Sequence, residues 1–259
     1  NINPRFTELF GYTLEEIKGK NIDSGLIQPT ERIKEAKELT NRGLNKGYQC
    51  FETIRKKKNG SLFPVLISGS PVIIDGECKG IIGTYSDISE RKKLEEQLKK
   101  MAQTDTLSDC FNRRHSMELL ERQMKLAKRN GSPLLVAYFD VDNLKGINDR
   151  FGHQTGDHVL KEVSHLFKST FREVDIICRM GGDEFMIVFP DSSLQQIPLI
   201  RERLAKKLLT LNKKIIQGYQ IELSMGFSEF QPSESVSIDE LIDIADRQMY
   251  EEKLKKRRK

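Results

Sequence analysis

Apolar and polar positions follow three different rhythms along this chain. Up to about residue 88, a short helix-like stretch (PRFTELFGYTLEEIKG) is followed by alternating segments at 48–55, 62–74 and 79–86. Alternation with period two predicts half-buried strands. Asn59-Gly60 and Asp75-Gly76 lie between these segments, and such pairs accept the positive φ of tight hairpin turns. Small helices followed by an antiparallel three-strand meander predict an α+β unit. Residues 89–104 (SERKKLEEQLKKMAQT) are highly charged, with Leu94, Leu98 and Met101 at 4-then-3 spacing. That is a short coiled-coil seam, and so short a helix needs a partner to persist.

Beyond residue 105 the rhythm alternates between helix and strand. Helices are predicted at 114–129, at 157–171 and at 197–211, and a strand at 134–140. The second helix carries Val159, Leu160, Val163, Leu166 and Phe167 on one face. The third shows Ile197, Ile200, Leu204, Leu208 and Leu211 at helical spacing. Ile221, Leu223, Met225 and Phe227 alternate as a strand, and Ile238, Leu241, Ile242, Ala245 and Met249 mark a last amphipathic helix. This order predicts a mixed sheet with helices packed on it, an α/β arrangement behind the α+β one.

Composition narrows the picture. The 259 residues are enough for two ordinary domains, and 37% hydrophobic with 31% charged residues suits cores with solvated surfaces. No run approaches the length of a membrane span and no signal peptide is visible, so the fragment is expected in the cytoplasm. The first residue is not Met, so an upstream segment is expected, and a longer membrane-attached protein is compatible with this sequence. Cys50, Cys78, Cys110 and Cys178 are scattered without metal-ligand spacing and are expected as reduced, mostly packed thiols. Much of the net charge of +5 lies in the tail Lys253-Leu254-Lys255-Lys256-Arg257-Arg258-Lys259, which composition alone reads as solvated. No nucleic-acid partner is expected.

The candidate chemistry lies at two acidic clusters. In Arg179-Met180-Gly181-Gly182-Asp183-Glu184-Phe185, two carboxylates follow a glycine pair between apolar stretches. Two strands joined at Gly181-Gly182 predict a hairpin whose glycines let a bulky anion approach the backbone. Phe139-Asp140-Val141-Asp142 ends another apolar strand in two acids, and ligand-binding groups gather at strand ends in α/β sheets. Oxygen donors from both clusters suit Mg²⁺, a hard cation that keeps waters and shares phosphate oxygens.

The hairpin resembles the signature of the GGDEF domains, the diguanylate cyclase family. Asp140-Val141-Asp142-Asn143-Leu144-Lys145-Gly146-Ile147-Asn148-Asp149 is similar to the family's DxDxFKxIND, and Phe151-Gly152-His153-Gln154-Thr155-Gly156-Asp157 to its xGHxxGD. DTLSDCFNRR (105–114) resembles the opening D-x-L-T-G-L-x-N-R-R, and Ala245-Asp246 to Lys253 the closing AD-x-x-x-Y-x-x-K. Departures are Leu144 for Phe, Ser108-Asp109-Cys110 for Thr-Gly-Leu, and Glu252 and Lys256 in the tail. The resemblance implies a nucleotidyl-cyclase-like mixed sheet over 105–259. It implies that Asp140, the Val141 carbonyl, Asp183 and Glu184 hold two Mg²⁺ ions, with Mn²⁺ as a substitute. Asp183 is then also the general base, Glu184 a further catalytic ligand, and Lys145 stabilises charge on the phosphates. Asn148 and Asp157 read the guanine, His153 positions the nucleotide, and Lys253 and Arg257 contact the triphosphate.

The implied reaction joins two GTP into cyclic di-GMP and releases two pyrophosphates. A guanine edge presents N1–H and N2–H, which one carboxylate accepts together and which adenine does not offer. The product is two-fold symmetric, so a homodimer with one GTP per subunit makes both bonds with one set of residues. Arg172-Glu173-Val174-Asp175, separated from Gly181 by five residues, matches the family's Arg-x-x-Asp inhibitory product site. The alternative reading is an inactive GGDEF domain that only binds nucleotide.

Asn3-Pro4-Arg5-Phe6 with Phe10-Gly11-Tyr12-Thr13 resembles the opening of PAS domains. Gly83-Thr84-Tyr85-Ser86-Asp87-Ile88-Ser89-Glu90-Arg91 resembles their closing strand and exit into a signalling helix. The resemblance implies a PAS sensor over 1–88, with its first strand upstream, and a signalling helix over 89–104. Its ligand is left open. His115, His153, His158 and His165 all lie outside this region, which disfavours a His-ligated haem, and neither Cys50 nor Cys78 sits in a flavin-adduct motif.

Overall fold

The computed structural model describes residues 1–46, 49–216 and 218–258. Tyr48, which opens the first predicted strand, and Lys259 of the tail lie outside the described residues. The chain divides into two units, Asn1–Leu98 and Lys99–Lys259.

In the first unit, helices α1 (Pro4–Phe10), α2 (Leu14–Ile17) and α3 (Ile33–Lys46) precede strands β1 (Gln49–Lys56), β2 (Leu62–Ile74) and β3 (Glu77–Asp87). The strands form an antiparallel sheet in the order β1-β2-β3. The Asn3 side chain caps α1 by accepting from the Phe6 N–H at 2.9 Å, Pro4 pre-sets its first turn, and Gly11 ends it at φ 81°. Phe6 and Phe10 thereby face Phe63, Val65 and Ile67 of the sheet, and Tyr85 meets Phe10 edge-on at 5.3 Å. Helix α3 is not among the elements predicted from sequence. Its sequence, IKEAKELTNRGLNK, is mostly polar, and Ala36 is its one fully buried hydrophobic residue among those described.

Helix α4 (Ser89–Gln103) follows. Leu94, Leu98 and Met101 are 53%, 66% and 67% exposed, so the predicted seam is uncovered in the single chain.

In the second unit come β4 (Phe111–Asn112), α5 (Arg113–Asn130), β5 (Leu134–Val141), α6 (Leu144–Phe151), α7 (His153–Thr170), β6 (Ile176–Gly181), β7 (Glu184–Pro190), α8 (Ile197–Asn212), β8 (Leu223–Phe230) and α9 (Ile238–Arg257). The sheet order is β4-β6-β7-β5-β8. It is mixed as expected, because β4 and β6 run parallel while the other neighbours are antiparallel. Every residue of β5, LLVAYFDV, is buried, which explains its unbroken apolar run: both faces of this strand are covered. Leu135, Ala137, Phe139 and Val141 pack with Val159, Val163, Phe167, Ile200 and Leu204 of α7 and α8 on one face. Leu134, Val136 and Tyr138 pack with Leu120 and Met124 of α5 and with Leu241, Ala245 and Met249 of α9 on the other.

Some expectations shift. The helix expected from 157 begins at His153, behind a polar first turn that hides its start, and Gly152 (φ 88°) separates it from α6. The last strand runs Leu223–Phe230, with Ile221 buried just outside it. The tail is helical to Arg257, because Ser237 and Glu240 form a capping box and the apolar face holds α9 on the sheet. All four cysteines are free, with Cys110 and Cys178 buried but Cys50 and Cys78 exposed, so only half are packed.

Gly226 allows α9 to approach β8. A Cβ there would lie 2.0 Å from the Ala245 carbonyl oxygen and 2.3 Å from the Met249 nitrogen, both backbone atoms. Gly226→Ala is expected to destabilise the unit by about 1–3 kcal/mol, seen as a lower urea midpoint at unchanged slope.

Candidate active site

The acids converge at one end of the sheet because of strand register. Asp140 on β5 lies opposite Glu184 on β7 and opposite Ser224 on β8. The hairpin closes one residue later than its glycine pair suggests. Gly181 is the last residue of β6 and pairs with Glu184, so the turn is Gly182-Asp183. A bulge between Arg179 and Gly181 absorbs the extra residue, which pattern reading cannot see. Gly181 and Gly182 take φ values of 148° and 52°, both in the range that glycine tolerates. The Val141 N–H donates to the Asp183 carbonyl at 3.0 Å and ties the turn to β5. Arg179 braces it from the other side, with Nε and Nη2 donating to the Gly182 carbonyl at 3.1 and 2.7 Å and Nη1 to Asp105 at 2.9 Å.

The acids carry counter-charges from α9. Lys253 Nζ lies 2.5 Å from Asp140 Oδ2, and Lys256 Nζ lies 2.9 Å from Asp142 Oδ2 and 2.6 Å from the Leu223 carbonyl. Ser224 donates to the other Asp142 oxygen at 2.7 Å, so Asp142 is fully engaged by β8 and α9. Asp140 Oδ1, by contrast, is buried without a hydrogen-bond partner among the described residues. Burial pushes the Asp140 carboxyl above its ordinary value, the Lys253 ammonium pulls it back, and Asp183 and Asp142 push it up. Burial also raises Glu184, the Tyr138 hydroxyl that donates to it at 3.1 Å lowers it, and Asp246, Asp183 and Asp140 raise it again. These carboxylates repel one another in a low-dielectric place, and an unpartnered oxygen points into it. That donor set fits Mg²⁺. Among the described residues no three His, Cys, Asp or Glu side chains form a metal cage. Mg²⁺ asks for less, one or two carboxylates together with waters and substrate phosphates.

The remaining residues expected at the site lie on α6, α7 and α9. Lys145 is exposed in the first turn of α6. Asn148 Oδ1, one turn on, is buried without a partner. It packs where Gly156 has no side chain, since a Cβ there would lie 1.9 Å from it. Asp157 follows Gly156 and is exposed, as is His153 at the start of α7. Asn148 on α6 therefore meets α7 at Gly156, the residue before Asp157. Arg257 is exposed at the end of α9 and has no ion pair among the described residues.

Arg172 forks onto Asp175, with Nε and Nη2 at 3.1 and 2.8 Å from Oδ1, while the Arg172 N–H donates to Oδ2 at 2.7 Å. The Asp175 side chain is 2% exposed and that of Arg172 52%. Both line a recess of about 250 Å³ together with Asp109 and Lys168.

Pattern reading left several participants without a role. Lys256 is the clearest, one helical turn beyond Lys253, where its i+3 spacing was the available signal. Arg179, Asp105, Tyr138 and Asp246 act only through tertiary contacts that no local spacing announces.

Residues 102–259 match the family described as diguanylate cyclase, GGDEF domain, and residues 1–90 match the PAS domain family. Diguanylate cyclase DosC of Escherichia coli K12 is 34% identical over 160 residues, 62% of this chain and 35% of that protein. Diguanylate cyclase DgcM of Escherichia coli O157:H7 is 31% identical over 210 residues, 80% of this chain and 49% of that protein. The chain thus spans between about a third and half of the length of these relatives. Among solved structures, the coiled coil and GGDEF domain of DgcB from Caulobacter crescentus, in complex with c-di-GMP, superposes with a TM-score of 0.57 at 26% identity. It covers 64% of this chain and 88% of that one. Among the described residues no helix is long and apolar enough to cross a membrane.

Proposed function

The chain belongs to the GGDEF family of diguanylate cyclases and carries a PAS domain ahead of that domain, and from this we propose that it condenses two GTP into cyclic di-GMP and two pyrophosphates. The observation that carries the reading is the unpartnered Asp140 Oδ1, buried opposite Glu184 at the sheet end and beside the Asp183 turn. Mg²⁺ held there by Asp140, the Val141 carbonyl, Asp183 and Glu184 supplies charge neutralisation and a more acidic substrate hydroxyl when bound.

This chain's own residues do the rest. Asp183 accepts the proton of a ribose 3′-OH as that oxygen bonds to the α-phosphorus of the second GTP. The α–β phosphoanhydride bond breaks, and pyrophosphate leaves with the electron pair. Lys145, exposed and without an ion pair among the described residues, meets the charge that builds on the phosphates. Lys253 and Arg257 reach the triphosphate from α9, and Lys253 already lies against the acids. Asn148 and Asp157 read the guanine edge, and His153 flanks it from the start of α7.

Two such sites must face each other for both bonds to form, so the active species is a homodimer. The uncovered stripe of Leu94, Leu98 and Met101 supports pairing through the helix at 89–104. The PAS domain at 1–88 then acts on the cyclase at 105–259 by changing how those helices pair. Incubation with GTP and Mg²⁺ is expected to yield a product with the mass of cyclic di-GMP. Tight binding of cyclic di-GMP by a stable dimer without turnover would instead make the chain a nucleotide-binding effector.

Arg172 and Asp175 form the product-inhibition site in this reading. Asp175 holds the guanidinium through Nε and Nη2, which leaves Nη1 to donate to guanine O6 or N7. Arg172→Ala is expected to leave initial turnover intact and to abolish inhibition by added cyclic di-GMP. Inhibition with an unchanged midpoint would remove the assignment.

A further inference from the structure

A cavity of about 860 Å³ lies within the first unit. Its volume is that of a small-molecule site. Much of its wall is apolar, with Phe6, Ile17, Ile22, Phe51, Ile67 and Ile81 among the lining residues. The charged lining is unbalanced: Arg5, Lys18, Lys20 and Arg55 against Asp23 alone.

Arg55 is the informative member. It points inward from β1, and its side chain is 2% exposed. Nη1 is well served, donating to Glu35 Oε1 at 3.2 Å, to Thr53 Oγ1 at 3.2 Å and to the Ile54 carbonyl at 2.9 Å. Nε is buried with no acceptor among the described residues. Nor is the charge balanced locally, because Glu35 is shared with Arg32, whose Nη1 lies 2.5 Å from Oε2. One carboxylate thus serves two guanidiniums. A buried cationic donor without an acceptor is costly, and an anion in the cavity removes that cost. Tyr85 also lines the cavity. Burial pushes its phenol up to about 12, so it stays protonated and able to donate at neutral pH.

We propose that this cavity binds a small organic carboxylate with an apolar body, its head group accepting from Arg55 Nε and its body lying against the Phe6, Phe51 and Ile67 wall. A neutral apolar ligand would leave Nε orphaned, and an inorganic anion would leave the wall empty. The inference does not depend on GTP turnover, and its test reads binding directly.

The test is calorimetric titration of the whole chain at neutral pH with decanoate and 4-phenylbutyrate, each against its alcohol, decan-1-ol and 4-phenylbutan-1-ol. Each acid is expected to bind about 10–100-fold more tightly than its alcohol, the range for a hydrogen bond to a charged group. Arg55→Met is expected to erase that difference while leaving the alcohols unaffected. A second measurement needs no variant: the Arg55 Nε–H resonance of the unaltered protein should shift when acid is added and stay still with alcohol. Equal affinity for acid and alcohol, an unmoved Arg55 resonance, or no binding of either acid below about 1 mM would overturn the proposal.

Discussion

Asp183→Asn is expected to reduce cyclic di-GMP formation by about three orders of magnitude, within the 10²–10⁴-fold contributed by a positioned acid–base group. The substitution keeps size and shape. It also keeps the turn, because the bond that ties Asp183 to β5 uses its backbone carbonyl, which accepts from the Val141 N–H. The Arg179 brace likewise grips the Gly182 carbonyl and not the Asp183 side chain. What disappears is one negative charge and the proton acceptor at the hairpin tip. Pyrophosphate release measures the rate and thermal melting the fold. Turnover within tenfold of the unaltered protein, at equal melting temperature, would deny Asp183 the role of base.

The second large effect concerns nucleotide choice. Asp157→Ser is expected to lower the preference for GTP over ATP by about 10–100-fold, the range for hydrogen bonds made to a charged group. The carboxylate accepts from N1–H and N2–H of guanine together, and a serine hydroxyl cannot match both. Asp157 is exposed on the first turns of α7, where it takes part in no salt bridge among the described residues, so its loss should not disturb packing. Competition between GTP and ATP in one reaction, with products separated by mass, gives the ratio. An unchanged ratio would mean that Asn148 or the backbone selects the base.

Much of the second unit was legible in the chain because it obeys one rule at a time. Val159, Val163 and Phe167 recur at helical spacing and are all buried on one face. Strand β5 is apolar on both faces and covered on both. Legibility failed where an element is short or polar. Helix α6 has eight residues and lies inside the motif segments, and α3 sets its few apolar residues, Ile33, Ala36 and Leu39, at helical spacing among charged ones. It failed also where one residue is absorbed silently, as in the bulge before Gly181 that moves the turn onto Asp183.

The site was half legible for a related reason. Asp140, Asp183 and Glu184 are visible as acids next to apolar strands, and strand register brings Asp140 opposite Glu184. Asp142 looks like their equal in sequence. It is drawn away by Ser224 and Lys256, contacts more than eighty residues distant in the chain. The tail shows the same limit: composition reads it as solvated charge, whereas the apolar face of α9 keeps two of its lysines against the acids.

Those two ammonium groups have a bearing on how the protein behaves when divalent ions are scarce. Asp140 and Asp142 each already have a cation from the same polypeptide, so repulsion among the acids is partly offset without a metal ion. A chelator should therefore silence this protein without unfolding it, unlike a zinc finger, whose architecture dissolves with its ion. Reloading then amounts to one positive charge replacing another, which makes the step sensitive to salt and reversible on a folded scaffold.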